Sequence, residues 1–135
     1  MSAPDFKANL VLEATVSPSE DPERVSTAIR KVLGDAVCDA SVSSHSARLS
    51  TEDPRALVHI RDQLRDRHVR AAARRQMLLN SSGRTASLML NRQAAAAGVV
   101  ALCGSPKESP LGPIYLTLRS EKIASAIDWL TAYSG

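Results

Sequence analysis

The sequence predicts one α+β domain over residues 1–135, with a mixed or mainly antiparallel sheet and helices packed on one of its faces. Two Asp-Pro dipeptides, Asp21-Pro22 and Asp53-Pro54, each open a stretch of helical periodicity. Short hairpin-like strand segments lie between and after them. A chain of 135 residues with 44% apolar content is enough for one core, and no low-complexity linker divides it.

Residues 7–16 alternate in part and end in β-branched residues, which predicts a first strand. A polar break leads to Asp21, Pro22 and Glu23, and then Val25, Ile29, Val32 and Leu33 mark an amphipathic helix stopped by Gly34. Residues 36–42 and 47–50 read as two short strands about the turn at 43–46. From 53 to 79, Leu57, Ile60, Leu64, Val69, Ala72 and Ala73 keep helical spacing, as two helices or one bent near His68. The turn at 80–83 precedes a strand at 85–90, a short strand at 99–103, a loop at 104–110 and a strand at 114–118. Ser120 or its neighbour caps a last helix holding Ile123, Ile127, Trp129 and Leu130. The expected order is β-α-β-β-α-α-β-β-β-α, with Val25, Ile29, Leu57, Ile60, Leu64, Ile127 and Trp129 buried between helices and sheet.

Charge is spread unevenly. The stretch from Arg55 to Arg92 holds nine Arg against Asp62 and Asp66, a local balance of +7, while the other residues carry 8 basic and 12 acidic groups. On a continuous helix Arg67, Arg70 and Arg74 fall at i, i+3 and i+7 and form one ridge, which can fork onto phosphate oxygens. A solvated helix face whose arginines pair with Asp62 and Asp66 accounts for the same pattern. GC-rich coding also favours Arg, here 13 against 4 Lys, so clustering rather than arginine identity carries the argument.

Other chemistries find little support. No apolar run approaches the roughly 20 residues that span a bilayer. The first residues lack the basic and apolar regions of a signal peptide, so a cytoplasmic protein is expected. Cys38 and Cys103 show no metal-ligand spacing and read as small buried side chains with neither metal nor obligatory disulfide. His45, His59 and His68 form no ligand motif, and no cofactor or metal is expected. No Gly-rich phosphate loop, nucleophile–base pair or carboxylate pair is visible, and Asp66-Arg67-His68 reads as a helix junction, so no enzyme is expected.

Several phrases carry a resemblance. They are Leu90-Asn91-Arg92-Gln93-Ala94-Ala95 followed by Gly98, and Ser109-Pro110-Leu111-Gly112-Pro113-Ile114. With them go Asp21-Pro22-Glu23-Arg24-Val25, Ala72-Ala73-Arg74-Arg75 and Ile127-Asp128-Trp129-Leu130. From about Val11 to Leu130, and in this order, they resemble a small archaeal family of uncharacterised proteins catalogued as predicted RNA-binding. Some of its relatives are described as predicted exosome-associated proteins. The resemblance implies the fold of the ribosomal protein that carries 5S RNA, the "L-five-like" fold. The chain departs from the family at Ala94 to Ala97, a plain alanine run where relatives often carry a larger apolar residue.

Two readings of function follow. The first is binding of structured RNA with weak sequence preference, mainly through phosphates, by Arg67, Arg70, Arg74, Arg75, Asn91, Arg92 and Gln93. Only Phe6, Tyr115, Trp129 and Tyr133 are aromatic, too few for a reader that stacks successive bases. Asn91 and Gln93 can meet base edges or tie down their own loop, and the two prolines about Gly112 make a rigid bend. The second reading is a protein-interaction or assembly module, a homodimer or a subunit of an RNA-processing complex, using the small surfaces of Ala71-Ala72-Ala73 and Ala94 to Ala97. Exposed apolar surface beside the helical pair would favour this one.

Overall fold

The computed structural model describes residues 4–131. Tyr133 and residues 1–3 lie outside that range. Five strands form one sheet in the order β2-β3-β1-β5-β4, with every neighbour antiparallel. They are β1 (Asn9–Thr15), β2 (Asp39–Val42), β3 (Ser46–Thr51), β4 (Thr85–Leu90) and β5 (Ile114–Arg119). The helices are α1 (Pro22–Leu33), α2 (Pro54–Asp66), α3 (Arg70–Leu79), α4 (Arg92–Ala96) and α5 (Ile123–Leu130), with a short 3-10 turn at Pro106–Glu108.

Period-two alternation decides which face is covered. Leu10, Leu12 and Ala14 of β1 align with Ala47, Leu49 and Thr51 of β3, and Leu10 and Leu12 with Leu118 and Leu116 of β5. Ala86, Leu88 and Leu90 extend the row on β4, and all of these side chains are buried. Helices supply the second layer: α1 packs on β3 and against α2 and α4, while α3 and α5 lie by β4. Val25, Ile29, Leu57, Ile60, Leu64 and Ile127 are buried in the core, as their spacing predicts. Trp129 is only partly buried, its ring edge-on to Phe6 and its face under Arg61.

Both Asp-Pro signals start helices as expected. The Asp21 and Asp53 side chains accept from the N–H groups of Glu23 and Arg55, each at 3.0 Å, with proline next. Gly34 ends α1 at φ 66°, and a Cβ there would stand 2.8 Å from His59 Cγ on α2. Glycine is thus required by conformation and by close packing. The long helical region breaks where His68 turns to φ 56°.

Two elements differ from expectation. The strand expected at 99–103 is only a bridge, Leu90 to Leu102, because Cys103 N–H donates to Met89 O and Asn91 N–H to Ala101 O without a longer ladder. Beside it, Gln76 of α3 accepts from Met89 N–H at 2.6 Å and donates to Cys103 O at 2.9 Å. A side-chain amide therefore occupies a place in the ladder and blunts this edge. Residues 92–96, which follow the strand expected at 85–90 and include most of the alanine run, form the short helix α4 under an Asn91 cap.

The two faces of β5 should answer mutation differently. We expect Leu116→Ala to lower unfolding stability by about 2–5 kcal/mol and Thr117→Ala to change it by about 0.5 kcal/mol or less, measured by urea denaturation.

Candidate functional site

The expected ridge of Arg67, Arg70 and Arg74 needs one continuous helix, and the chain does not supply it. Arg67 is the residue that closes α2, its N–H bonded to Gln63 O, and Arg70 opens α3 beyond the turn at His68. Only Arg70 and Arg74 share a helical flank, and Arg74 is paired with Asp128 of α5. Arg75 lies five residues beyond Arg70, about 140° further round the helix axis. The ridge is corrected to a junction bearing Arg67 and Arg70, with Arg75 on another side of α3.

Acids outside the stretch (Asp53, Glu121, Asp128 and Glu20) pair with four of its arginines and reduce the local +7 to +3. Arg55 binds Asp53 at 2.7 Å, Arg65 lies 3.6 Å from Asp62 and 3.3 Å from Asp66, and Arg84 binds Glu121 at 2.9 Å. Arg61 lies over the Trp129 ring, 4.7 Å from its centroid. Arg67, Arg70 and Arg75 remain exposed, with no carboxylate at ion-pair distance among the described residues.

Arg92 requires a second correction. Its side chain is 6% exposed, so it is not part of a surface open to phosphate. Nη1 donates to both Glu20 oxygens at 2.8 Å, Nε donates to Gly112 O at 3.0 Å, and its N–H donates to Ser109 Oγ at 3.1 Å. One guanidinium thus joins the loop before α1, the start of α4 and the bend at 109–112. Burial alone would raise the Glu20 carboxyl, but the Ser17 N–H and the Arg92 guanidinium overcome that and hold it below its ordinary value. Asn91 Oδ1 accepts from Ala94 N–H at 2.9 Å, so it ties down its own loop. Gln93 is exposed on α4.

The structure therefore separates the seven candidates. Arg67 and Arg70 flank the junction, Arg75 and Arg74 lie further along α3, and Asn91, Arg92 and Gln93 belong to the α4 corner. The partners Glu20 and Asp128 were invisible in the sequence because they lie 72 and 54 residues from their arginines. Leu78 and Leu79, counted within a helical run, are 49% and 79% exposed at the end of α3. Cys38 and Cys103 are free thiols, one partly and one fully buried, and burial with nearby Glu108 raises the Cys103 pKa.

No protein-family model matches the chain. It is similar to a UPF0201 protein of Sulfurisphaera tokodaii, 35% identical over 124 residues that cover 90% of this chain and 86% of that protein. A UPF0201 protein of Sulfolobus acidocaldarius is 31% identical over 124 residues, with the same 90% and 86% coverage. Among solved structures, a UPF0201 protein from Methanococcus jannaschii aligns with TM-score 0.76 and 20% identity over 94% of this chain and 95% of the other. A DUF54 protein from Methanothermobacter thermautotrophicus gives 0.65 and 20% over 95% and 98%. At such identities the structural matches speak for the fold alone: an α+β domain with a five-stranded antiparallel sheet.

The Arg92–Glu20 pair yields a stability test. Arg92→Met alone leaves a buried carboxylate without its partner and should cost about 3–5 kcal/mol, whereas Arg92→Met with Glu20→Met should recover most of that loss. Chemical denaturation at pH 7 measures both. Because the folded Glu20 pKa is depressed, its contribution is complete above the unfolded value of about 4.5 and declines as pH falls below it.

Proposed function

The chain belongs to the UPF0201 family of archaeal proteins, and we propose that it binds structured RNA, with Arg67, Arg70 and Arg75 holding phosphates at and beside the α2–α3 junction. The observation that carries this reading is their exposure without a carboxylate partner among the described residues, when most neighbouring arginines are paired. Helix α3 follows Val69, which gives it no side-chain cap, and places Arg70 at its first position, where the helix dipole favours an acid. A phosphate at the junction would meet both the cation and the free N–H groups. The motifs' resemblance to a family with the fold of the 5S-RNA carrier favours the same partner, and a cytoplasmic site of action fits it. We read the chain as a binding protein.

A second reading draws on Leu78 and Leu79. Two leucines exposed at the end of α3 offer an apolar contact to another chain. On this reading the protein is an assembly module, as a homodimer or inside an RNA-processing complex.

Salt dependence tests the first reading. Substituting Arg67, Arg70 and Arg75 together with Gln keeps helix propensity while removing three charges. Fluorescence titration with a transfer-RNA-like ligand should show weaker binding and a log-affinity against log-salt slope shallower by about two to three units. An unchanged slope in a folded triple variant would transfer the function to the leucine surface.

A further inference from the structure

The face of the sheet opposite the helices is uncovered among the described residues, and the register orders what it presents. Asn9, Arg119 and Thr85 form one row across β1, β5 and β4. Val11, Thr117 and Ser87 form the next, and Glu13, Tyr115 and Met89 the third. Tyr115 is 44% exposed. At the Asn9 end lies a cavity of about 450 Å³, bounded by the chain before β1, the start of α2 and the turn after β5. Phe6, Pro54 and Leu57 give it an apolar wall, and Lys7 and Arg119 give it charge. Arg84 and Glu121 on its lining are paired at 2.9 Å, which leaves Lys7 and Arg119 against Glu52. Lys7 and Arg119 are exposed and have no ion-pair partner among the described residues. Asn9 Oδ1 is buried with no hydrogen-bond partner there, an acceptor that native proteins rarely leave unused.

We propose that this cavity and the adjoining sheet face hold one or two unpaired nucleotides of an RNA strand. The inference rests on the RNA reading and names a second class of contact for the same partner. A base fits against the Phe6 and Pro54 side of the cavity, beside Asn9. Lys7 and Arg119 take the adjoining phosphate. Tyr115 lies four residues from Arg119 on the same strand, about 13 Å away, and offers its ring to a following base. One exposed aromatic supports one stack rather than a run of stacked bases, which agrees with the scarcity of aromatics in the chain. A second copy of this chain fits the face less well. Thr85, Ser87, Thr117 and Ser50, with Arg48 and Glu13, outnumber Val11, Met89 and Tyr115, and a dry sheet-on-sheet contact would bury those polar groups without partners.

The test uses the full chain, an RNA hairpin, the same hairpin with a short single-stranded tail, and a short oligouridylate. In the parent the tail should tighten binding by about tenfold, the scale of one stacked base. Lys7→Gln with Arg119→Gln, and separately Tyr115→Ala, should lose that gain and keep parental affinity for the bare hairpin. All these positions are exposed, and thermal unfolding monitors their folding. A hairpin that binds while its tail adds nothing, or a gain that survives both variants, overturns the proposal and leaves the arginine junction standing. Oligouridylate binding that these variants abolish, without hairpin binding, supports the cavity and removes the junction. Loss of both ligands in the parent overturns both. A dimer in sedimentation that Tyr115→Arg dissociates assigns the face to a second copy and overturns the proposal.

Discussion

One-sided burial of the antiparallel sheet is the constraint from which the other features follow. Side chains alternate along each strand, so once Leu12, Leu49, Leu88 and Leu116 meet the helices, their neighbours must face away. No described element covers that second face. The chain meets the condition by placing Ser, Thr and charged residues there, which keeps the sheet soluble without a third layer. Helix placement follows from the same demand, since α1, α2, α3 and α5 must all turn their apolar stripes to one side. The sheet ends also differ. The Gln76 amide and the segment at 101–103 blunt the β4 edge, while β2 ends the other side as four mostly exposed residues.

Electrostatics then sorts the arginines by environment. A guanidinium near the core needs an anion, because desolvating a lone charge costs more than any surface contact returns. Arg92 takes both oxygens of Glu20, and Arg74 takes Asp128. At the rim, Arg84 and Arg55 find Glu121 and Asp53 at little net gain, since exposed pairs are screened. Arg67, Arg70 and Arg75 stand where no carboxylate comes to ion-pair distance among the described residues. Their free charge comes from geometry, in particular from the His68 turn that ends α2 and starts α3 apart from it.

The motifs behind the family resemblance also gain a physical reading. Phrases from three distant parts of the chain meet at Arg92: Glu20 precedes Asp21-Pro22, Asn91 caps α4, and Ser109 and Gly112 supply an oxygen each. Gly112 sits at φ 92°, a conformation that suits glycine, with a would-be Cβ 3.8 Å from Arg92 Nη2. These residues read as a clamp between loops, so the phrases that meet at Arg92 have a structural role here. Functional surface must be sought where exposure and charge remain unexplained by folding.

Much of the architecture was legible locally. Asp21-Pro22 and Asp53-Pro54 set the helix starts, alternation set the strands, and helical spacing put Val25, Ile29, Leu57, Ile60 and Leu64 in the core, because caps and periodicity act over a few residues. The junction near His68 was equally visible. The candidate site was legible only in outline: the sequence marked a basic region, while the structure leaves Arg67, Arg70 and Arg75 exposed and pairs Arg74 and Arg92 with acids. That sorting required Glu20 and Asp128, whose distance along the chain leaves no local trace. The bridge at Leu102 was decided the same way, with Gln76 reaching from α3, whereas the helix at 92–96 starts from a local cap, Asn91 Oδ1 on Ala94 N–H. Short-range order is written in adjacent residues; the partner of a charge, and which face of a sheet stays bare, exist only once the chain has closed on itself.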